Sequence, residues 1–140
     1  MLVRLAYASR AATDTGEPDF NAILKSSREH NQADGITGLL CYSEGVFIQL
    51  LEGGRNAVNA RYKQIIDDPR HKDVILLAYD EIEERQFAGW AMGQAQLSRA
   101  NRAMLLKYSE STKLDPYAMS GKALIKLFHD MVSAGAIACS

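Results

Sequence analysis

The sequence is poor in the features that mark specialised classes of chain. Among its 140 residues are two cysteines, Cys41 and Cys139. Two cysteines so far apart form no metal-ligand spacing and no disulfide framework, so a reducing, cytoplasmic setting is expected. Three prolines, no Gly/Ser/Pro linker and no internal repeat point to a single domain. The longest strongly apolar stretch, Val74 to Tyr79, is six residues, against the ~20 that a membrane-spanning helix needs, so no membrane association is expected. Met1 to Ser9 holds one charge, Arg4, with no long apolar region after it, which argues against a secretory signal. Basic charge is not in excess: 16 Lys and Arg face 17 Asp and Glu, so direct nucleic-acid binding through a basic face is not expected. No serine or cysteine stands in a nucleophile motif, and Gly53-Gly54 lacks the spaced glycines of a phosphate loop. His30 and His129 read as surface histidines, not metal ligands.

What is present is a chain 47% hydrophobic and 24% charged, enough for one core. Charge divides unevenly along it. Residues 1–97 carry ten basic and fourteen acidic side chains, a net of −4, whereas residues 98–140 carry six basic and three acidic, a net of +3. This asymmetry separates a core, 1–97, from a C-terminal helical extension, 98–140. The acidic cluster Asp80, Glu81, Glu83 and Glu84 reads as a solvated strand end.

Hydrophobic spacing gives the order of elements. Leu2 to Ser9 alternates with period two, placing Val3, Leu5, Tyr7 and Ser9 on one face of a strand. Phe20, Ile23 and Leu24 recur at helical spacing over about 18–32, with Pro18 in the first turn and Asp34-Gly35 as the stop. Ile36–Tyr42 and Val46–Glu52 form an antiparallel hairpin about Ser43-Glu44-Gly45. Val58, Arg61, Tyr62, Ile65 and Ile66 mark a second helix ending before Pro69. A fourth strand covers about Val74–Ile82, its apolar run implying burial on both faces. Trp90–Leu97 reads as a fifth strand, with Gly89 and Gly93 as positions of bulge or close approach.

The result is an α+β, ferredoxin-like βαββαββ sheet with two helices on one face. The other face needs a cover. Leu124, Leu127, Phe128, Met131 and Val132 form an apolar stripe, preceded by a shorter helix with Ala103, Met104 and Leu106, and these helices are expected on that second face. A tail that only docks on a partner is the alternative.

Three polar side chains fall on faces marked as buried: Tyr7 with Val3 and Leu5, Gln49 with Phe47 and Leu51, and Asn31 with Ile23 and Ser27. An unpartnered buried amide costs about 1–3 kcal/mol. Carboxamides present donor and acceptor together, which suits the edge of a heteroaromatic ring. Bonding to backbone or to one another would also satisfy them. Asp68, Arg70 and His71, at the end of the second helix, suit a polar chain and a phosphate.

Longer motifs join these residues. They are Leu5-Ala6-Tyr7-Ala8-Ser9; His30-Asn31 followed by Gly35-Ile36-Thr37-Gly38-Leu39-Leu40; Gly45-Val46-Phe47-Ile48-Gln49-Leu50-Leu51-Glu52-Gly53; Asp68-Pro69-Arg70-His71; and Arg85-Gln86-Phe87-Ala88-Gly89-Trp90-Ala91-Met92. In this order and spacing the sequence resembles the BLUF family of flavin-based blue-light sensors, in particular its short single-domain members, over about residues 1–97. The resemblance implies a ferredoxin-like fold with the isoalloxazine ring of FAD between the two helices. It implies that Tyr7 is the photo-redox partner, that Gln49 lies between Tyr7 and the N5/O4 edge of the flavin, and that Asn31 binds the O4/N3 edge. Ile23, Ser27, His30, Phe47, Leu51 and Ile65 match ring-lining positions, with Asp68, Arg70 and His71 toward the ribityl and phosphate end. Trp90 and Met92 match a pair that exchanges places near the glutamine, and which of them faces the flavin stays open. FAD is preferred over FMN by resemblance alone. The expected protein is a sensor and not an enzyme. At this length no room is expected for an output domain, so signalling through the fifth strand and C-terminal helices to an acidic downstream partner, or through self-association, is the expectation. A cofactor-free interaction module, and a small ferredoxin-like enzyme or haem-binding protein using His30 or His71, are the competing readings.

Overall fold

The computed structural model describes residues 1–12 and 17–138. Thr13 to Gly16, most of the expected first turn, and Cys139 lie outside the described residues. The elements run β1 (Leu2–Ala11), α1 (Glu17–Asp34), β2 (Thr37–Ser43), β3 (Val46–Gly54), α2 (Arg55–Asp67), β4 (His71–Ile82), β5 (Gly93–Ala95), α3 (Arg102–Tyr108), α4 (Gly121–Ser133) and β6 (Ile137–Ala138). The strands form one sheet in the order β4-β1-β3-β2-β5-β6. β1 pairs antiparallel with β3 and β4, β2 pairs antiparallel with β3, and β5 runs parallel to β2. This is the ferredoxin-like arrangement, extended by two short strands on the β2 side. Ser43 lies opposite Val46, so the β2–β3 turn is Glu44-Gly45, with φ of 51° and 81°. Two left-handed residues in succession give a turn whose twist matches that of the strands.

The sheet is covered on both faces. On one, Phe20, Ile23 and Leu24 of α1 and Val58 and Ile65 of α2 pack against Val3, Leu5, Tyr7, Phe47 and Leu51. On the other, Leu124, Leu127, Phe128 and Met131 of α4 pack against Ala8, Leu39, Cys41, Ile48 and Leu50. Each large α4 side chain withdrawn from water contributes about 1.5–3 kcal/mol. α4 begins at an N-cap, Ser120, whose hydroxyl accepts from the Ala123 N–H at 3.1 Å. α3 is capped by Asn101 in the same way, at 2.7 Å.

Several sequence expectations are corrected. β4 is not buried on both faces: among the described residues it is the edge strand, paired in the sheet with β1 alone, and Ile75, Leu76 and Tyr79 are 42%, 48% and 38% exposed. Its register on β1 passes from Ala6 opposite Ala78 to Tyr7 opposite Leu76, skipping Leu77, so the apolar run records a bulged edge. β5 is three residues long, and Trp90 and Met92 precede it instead of sharing one of its faces. Gly93 does mark a close approach, since a Cβ there would lie 3.0 Å from Ile137 and Leu39, whereas Gly89 has open space around it. Leu106 of α3 is exposed, and Met104, Leu105 and Tyr108 supply its packed face.

Candidate functional site

The two central strands and the two helices above them enclose the polar residues that fit poorly in a plain core. Tyr7 and Gln49 are opposite each other in the β1–β3 register, both facing α1 and α2. The Tyr7 hydroxyl donates to Gln49 Oε1 in a short hydrogen bond, and Gln49 Nε2 donates to Met92 Sδ at 3.5 Å. Both side chains are buried, at 1% and 4% exposure. Beside them a cavity of about 180 Å³ opens between the helices. Buried Tyr7, Gln49 and Ile23 line its inner part, with half-buried Ser27 and exposed His30 on the α1 side. Ile65, Asp68, Arg70 and His71 line the part toward the end of α2.

The other expected residues, Asn31, Phe47, Leu51, Met92 and Trp90, do not line this cavity. Asn31 is fully buried, its Nδ2 donating to the Ala91 carbonyl at 3.1 Å while its Oδ1 has no protein partner. Phe47 and Leu51 belong to the same apolar layer, with the Phe47 ring 5.0 Å from that of His71. Met92 is fully buried in that layer. Trp90 packs with the α4 layer on the opposite side of the sheet. The pair is therefore split between the two faces, with Met92 on the Gln49 side.

Electrostatics divide the site into an apolar inner part and a charged outer part. Burial pushes the Tyr7 phenol far above its usual range, with nearby Tyr62 and Asp68 adding to the effect and Arg61 opposing it. The Tyr62 ring lies 5.6 Å from that of Tyr7. At the outer end the hydrogen bonds from Arg70 hold the Asp68 carboxyl below its ordinary range. Burial lowers the His71 imidazole; Asp68 opposes that shift and Arg70 adds to it. His71 Nδ1 lies 2.7 Å from the hydroxyl of buried Ser9, fixing the ring against β1. His30 Nδ1 donates to the Ser26 carbonyl one turn earlier in α1, at 2.8 Å.

Sequence reasoning missed several residues here. Ser26, Arg61 and Gln64 also line the cavity. Arg61 lies four residues before Ile65, a spacing that puts both on one side of α2, with Asp68 just beyond the helix end. The Arg61 Nε is buried without a partner, and its Nη1 donates to Gln64 Oε1 at 2.9 Å. Arg28 Nε donates to the Met92 carbonyl at 3.0 Å.

The residues fit a flavin. The unmet Asn31 Oδ1 is an acceptor facing away from solvent, Gln49 is a second buried amide, Ile23 and Ile65 are apolar walls, and Arg61, Arg70 and His71 supply donors for an anionic chain. Among the described residues no group of three or more side chains is placed to hold a metal ion, and no helix is long and apolar enough to cross a membrane.

Comparison with known proteins agrees with this chemistry. The family model for BLUF, sensors of blue-light using FAD, matches residues 2–93. Photoactivated adenylate cyclase subunit beta of Euglena longa is 37% identical over 95 residues, 67% of this chain and 11% of the relative. Subunit alpha of Euglena gracilis is 38% identical over 86 residues, 61% of this chain and 8% of the relative. The chain thus spans about a tenth of the length of these curated relatives. Among solved structures, the ground state of BlsA superposes with a TM-score of 0.82 at 27% identity, covering 94% of this chain and 88% of that one. The dark state of BlrB, a BLUF protein, superposes with a TM-score of 0.76 at 30% identity, covering 96% of each chain. The matched segment runs from β1 to the start of β5 and contains Tyr7, Asn31, Gln49 and Met92. The chain belongs to the BLUF family, whose members sense blue light using FAD.

Proposed function

We propose that the chain is a blue-light photoreceptor in which Tyr7, Gln49 and Met92 form the photoactive network beside non-covalently bound FAD. The observation that carries this reading is the buried relay from Tyr7 Oη to Gln49 Oε1 and from Gln49 Nε2 to Met92 Sδ, at the wall of the cavity between α1 and α2. FAD, when bound, supplies a ring that absorbs blue light and in its excited state accepts an electron and a proton.

Tyr7 is the donor placed to supply both. Burial favours its protonated form, its hydroxyl already donates to Gln49 Oε1, and because no net oxidation remains at the end of the cycle, the electron and the proton would both return to Tyr7. Gln49 is the group that rearranges, because a carboxamide that turns exchanges its donor and acceptor ends. Turning takes its N–H away from Met92 Sδ and frees Met92 to move. Asn31 holds the heteroaromatic edge through Oδ1, while Asp68, Arg70 and His71, with Arg61, hold the ribityl and phosphate end. A cofactor-free interaction module fits less well, since it leaves Asn31 Oδ1 buried with nothing to accept from.

The network is rearranged and no substrate is turned over, so the role is that of a sensor, not of an enzyme. We assign residues 1–97 to the flavin-binding domain and 98–140 to a C-terminal output segment, reached from Met92 through β5, β6 and α4. The partner is a downstream protein or a second copy, in a cytoplasmic setting.

An absorption spectrum of protein expressed with ample flavin tests the reading. A yellow protein with a reversible red shift in blue light is the expected result. A colourless protein refutes it, and a Soret band points to haem. Tyr7→Phe is expected to bind FAD and fail to cycle.

A further inference from the structure

Among the described residues, Glu52 is the one charged side chain that is buried, at 0% exposure. It stands outside the cavity, at the end of β3, sharing a strand face with Ile48 and Leu50. Its carboxylate is bound on every side. Arg4 donates to Oε2 from Nε at 2.8 Å and from Nη2 at 2.7 Å. The backbone N–H of Gln86 donates to Oε2 at 3.1 Å, and that of Phe87 to Oε1 at 2.7 Å. A buried carboxylate is costly unless it is paired and fully bonded, and here the groups that satisfy it include two backbone amides of a loop.

That loop, 83–92, connects β4 to β5 and carries Met92 to Gln49. Its far end is tied to the site: the Trp90 carbonyl accepts from Gly38 N at 3.1 Å, the Ala91 carbonyl from Asn31 Nδ2 at 3.1 Å, and the Met92 carbonyl from Arg28 Nε at 3.0 Å. The near end is held by Glu52, with the fully buried Phe87 ring packed into the α4 layer. The loop is thus held at both ends, and a movement of Met92 that breaks the bonds at 90–92 still meets the fixed amides of Gln86 and Phe87, so it passes to β5, which follows Met92 directly.

We propose that Glu52 is a positioning residue of the photocycle, a fixed anchor that makes the loop pass movement of Met92 into β5 instead of absorbing it. The inference rests on the photoreceptor reading above. It concerns transmission, not photochemistry: Glu52 touches neither Tyr7 nor Gln49.

The test uses the flavin-loaded full chain and its Glu52→Gln variant, read by absorption and by amide hydrogen exchange in light and dark. The variant keeps the side chain's size but replaces an acceptor oxygen with an NH₂ group facing donors. The expected result is full flavin loading and a normal red shift, with the light-dark difference in exchange over 93–95 and 121–133 reduced at least about tenfold, the order expected from loss of one charge-assisted hydrogen bond. An exchange difference equal to the unmodified chain's overturns the proposal. Loss of the red shift in the variant also overturns it, because Glu52 then belongs to the photochemistry. If the variant does not fold, the unmodified chain decides: the Gln86 and Phe87 amides must be protected in both light and dark, and free exchange at either in the dark overturns the anchor. Absence of a red shift in the unmodified chain is a failure of the photoreceptor reading and is visible before any variant is made.

Discussion

Gly121→Ala sets two effects of opposite sign against each other. Gly121 is the first residue of α4, where alanine improves helix propensity by up to about 1 kcal/mol. Propensity alone therefore predicts a more stable protein. A Cβ at this position, however, lies 2.2 Å from the Leu77 carbonyl oxygen and 2.8 Å from its carbon, against the 3.4 Å at which ordinary contact begins. Both atoms are backbone, on the bulged part of β4, so neither swings aside as a side chain would. The N-terminus of α4 must retreat by about 1 Å, which loosens Leu124 one turn into the helix and strains β4. Overpacking of this kind costs about 1–3 kcal/mol. The packing cost prevails, with a net loss of about 1–2 kcal/mol, or a fall of roughly 3–8 °C in melting temperature for a chain of this size. Thermal melts followed by far-ultraviolet circular dichroism at fixed flavin concentration measure it, with Gly89→Ala as control, since that site is open and its expected change lies within about 0.5 kcal/mol. An unchanged or higher melting temperature for Gly121→Ala refutes the docking of α4 on β4.

Three further perturbations address the site and its cover. Gln49→Leu keeps bulk but removes the amide, so the variant should bind flavin and lose the light-induced red shift; a normal shift contradicts the relay. The same change strips the buried Tyr7 hydroxyl of its acceptor, costing about 1–3 kcal/mol in denaturant titrations. Leu127→Asp places a carboxylate in the fully buried α4 layer and should destabilise the whole domain by 3 kcal/mol or more, roughly the cost of an unpaired buried charge; an unaltered melting temperature argues against that layer. His71 is held below its ordinary 6.5 chiefly by burial, so the unfolded chain binds the proton more tightly. Stability is then highest above pH 6.5 and falls as pH drops toward the lowered native value. Urea midpoints at pH 7.5 and 5.5 should differ less in His71→Asn than in the unmodified chain, and equal differences refute the assignment.

The order of elements was legible because strands and helices here obey their periods closely: Val3, Leu5 and Tyr7 alternate, and Leu124, Leu127, Phe128 and Met131 repeat at helical spacing. Tyr7, Asn31 and Gln49 stood out because each is a polar group on an apolar face, a signal that requires no knowledge of the fold. Glu52 carries the same signal, sharing parity with Ile48 and Leu50, but at the end of a strand and inside a longer motif a carboxylate also suits a solvated position. The exposure of β4 was not legible, because an apolar run looks alike at the centre and at the edge of a sheet, and position in the sheet is set by topology. The separation of Trp90 from Met92 was hidden for a related reason. Period-two reasoning presumes a strand, but residues 83–92 are an irregular loop whose course is set by bonds to Glu52, Gly38, Asn31 and Arg28.

Two routes lead from Gln49 to the C-terminal layer, and their mechanical strengths differ. The shorter runs along β3, where Gln49 is flanked by Ile48 and Leu50, both in contact with the α4 layer. But β3 is held along its whole length, by β1 from Val46 to Gly54 and by β2 from Val46 to Glu52. Shifting it breaks many ladder bonds at about 0.5–1.5 kcal/mol each. The longer route passes through Met92 into β5, which meets β2 at only two positions, Leu39 opposite Gly93 and Leu40 opposite Gln94. β5 in turn holds β6 through Gln94 and Ala95, and the Gln96 N–H donates to the Ala136 carbonyl just beyond α4. A rearrangement that supplies only a few kcal/mol moves the element with the fewest bonds to lose. On that ground β5 would be the output strand in the proposed photocycle, and β3 the rigid reference against which it moves.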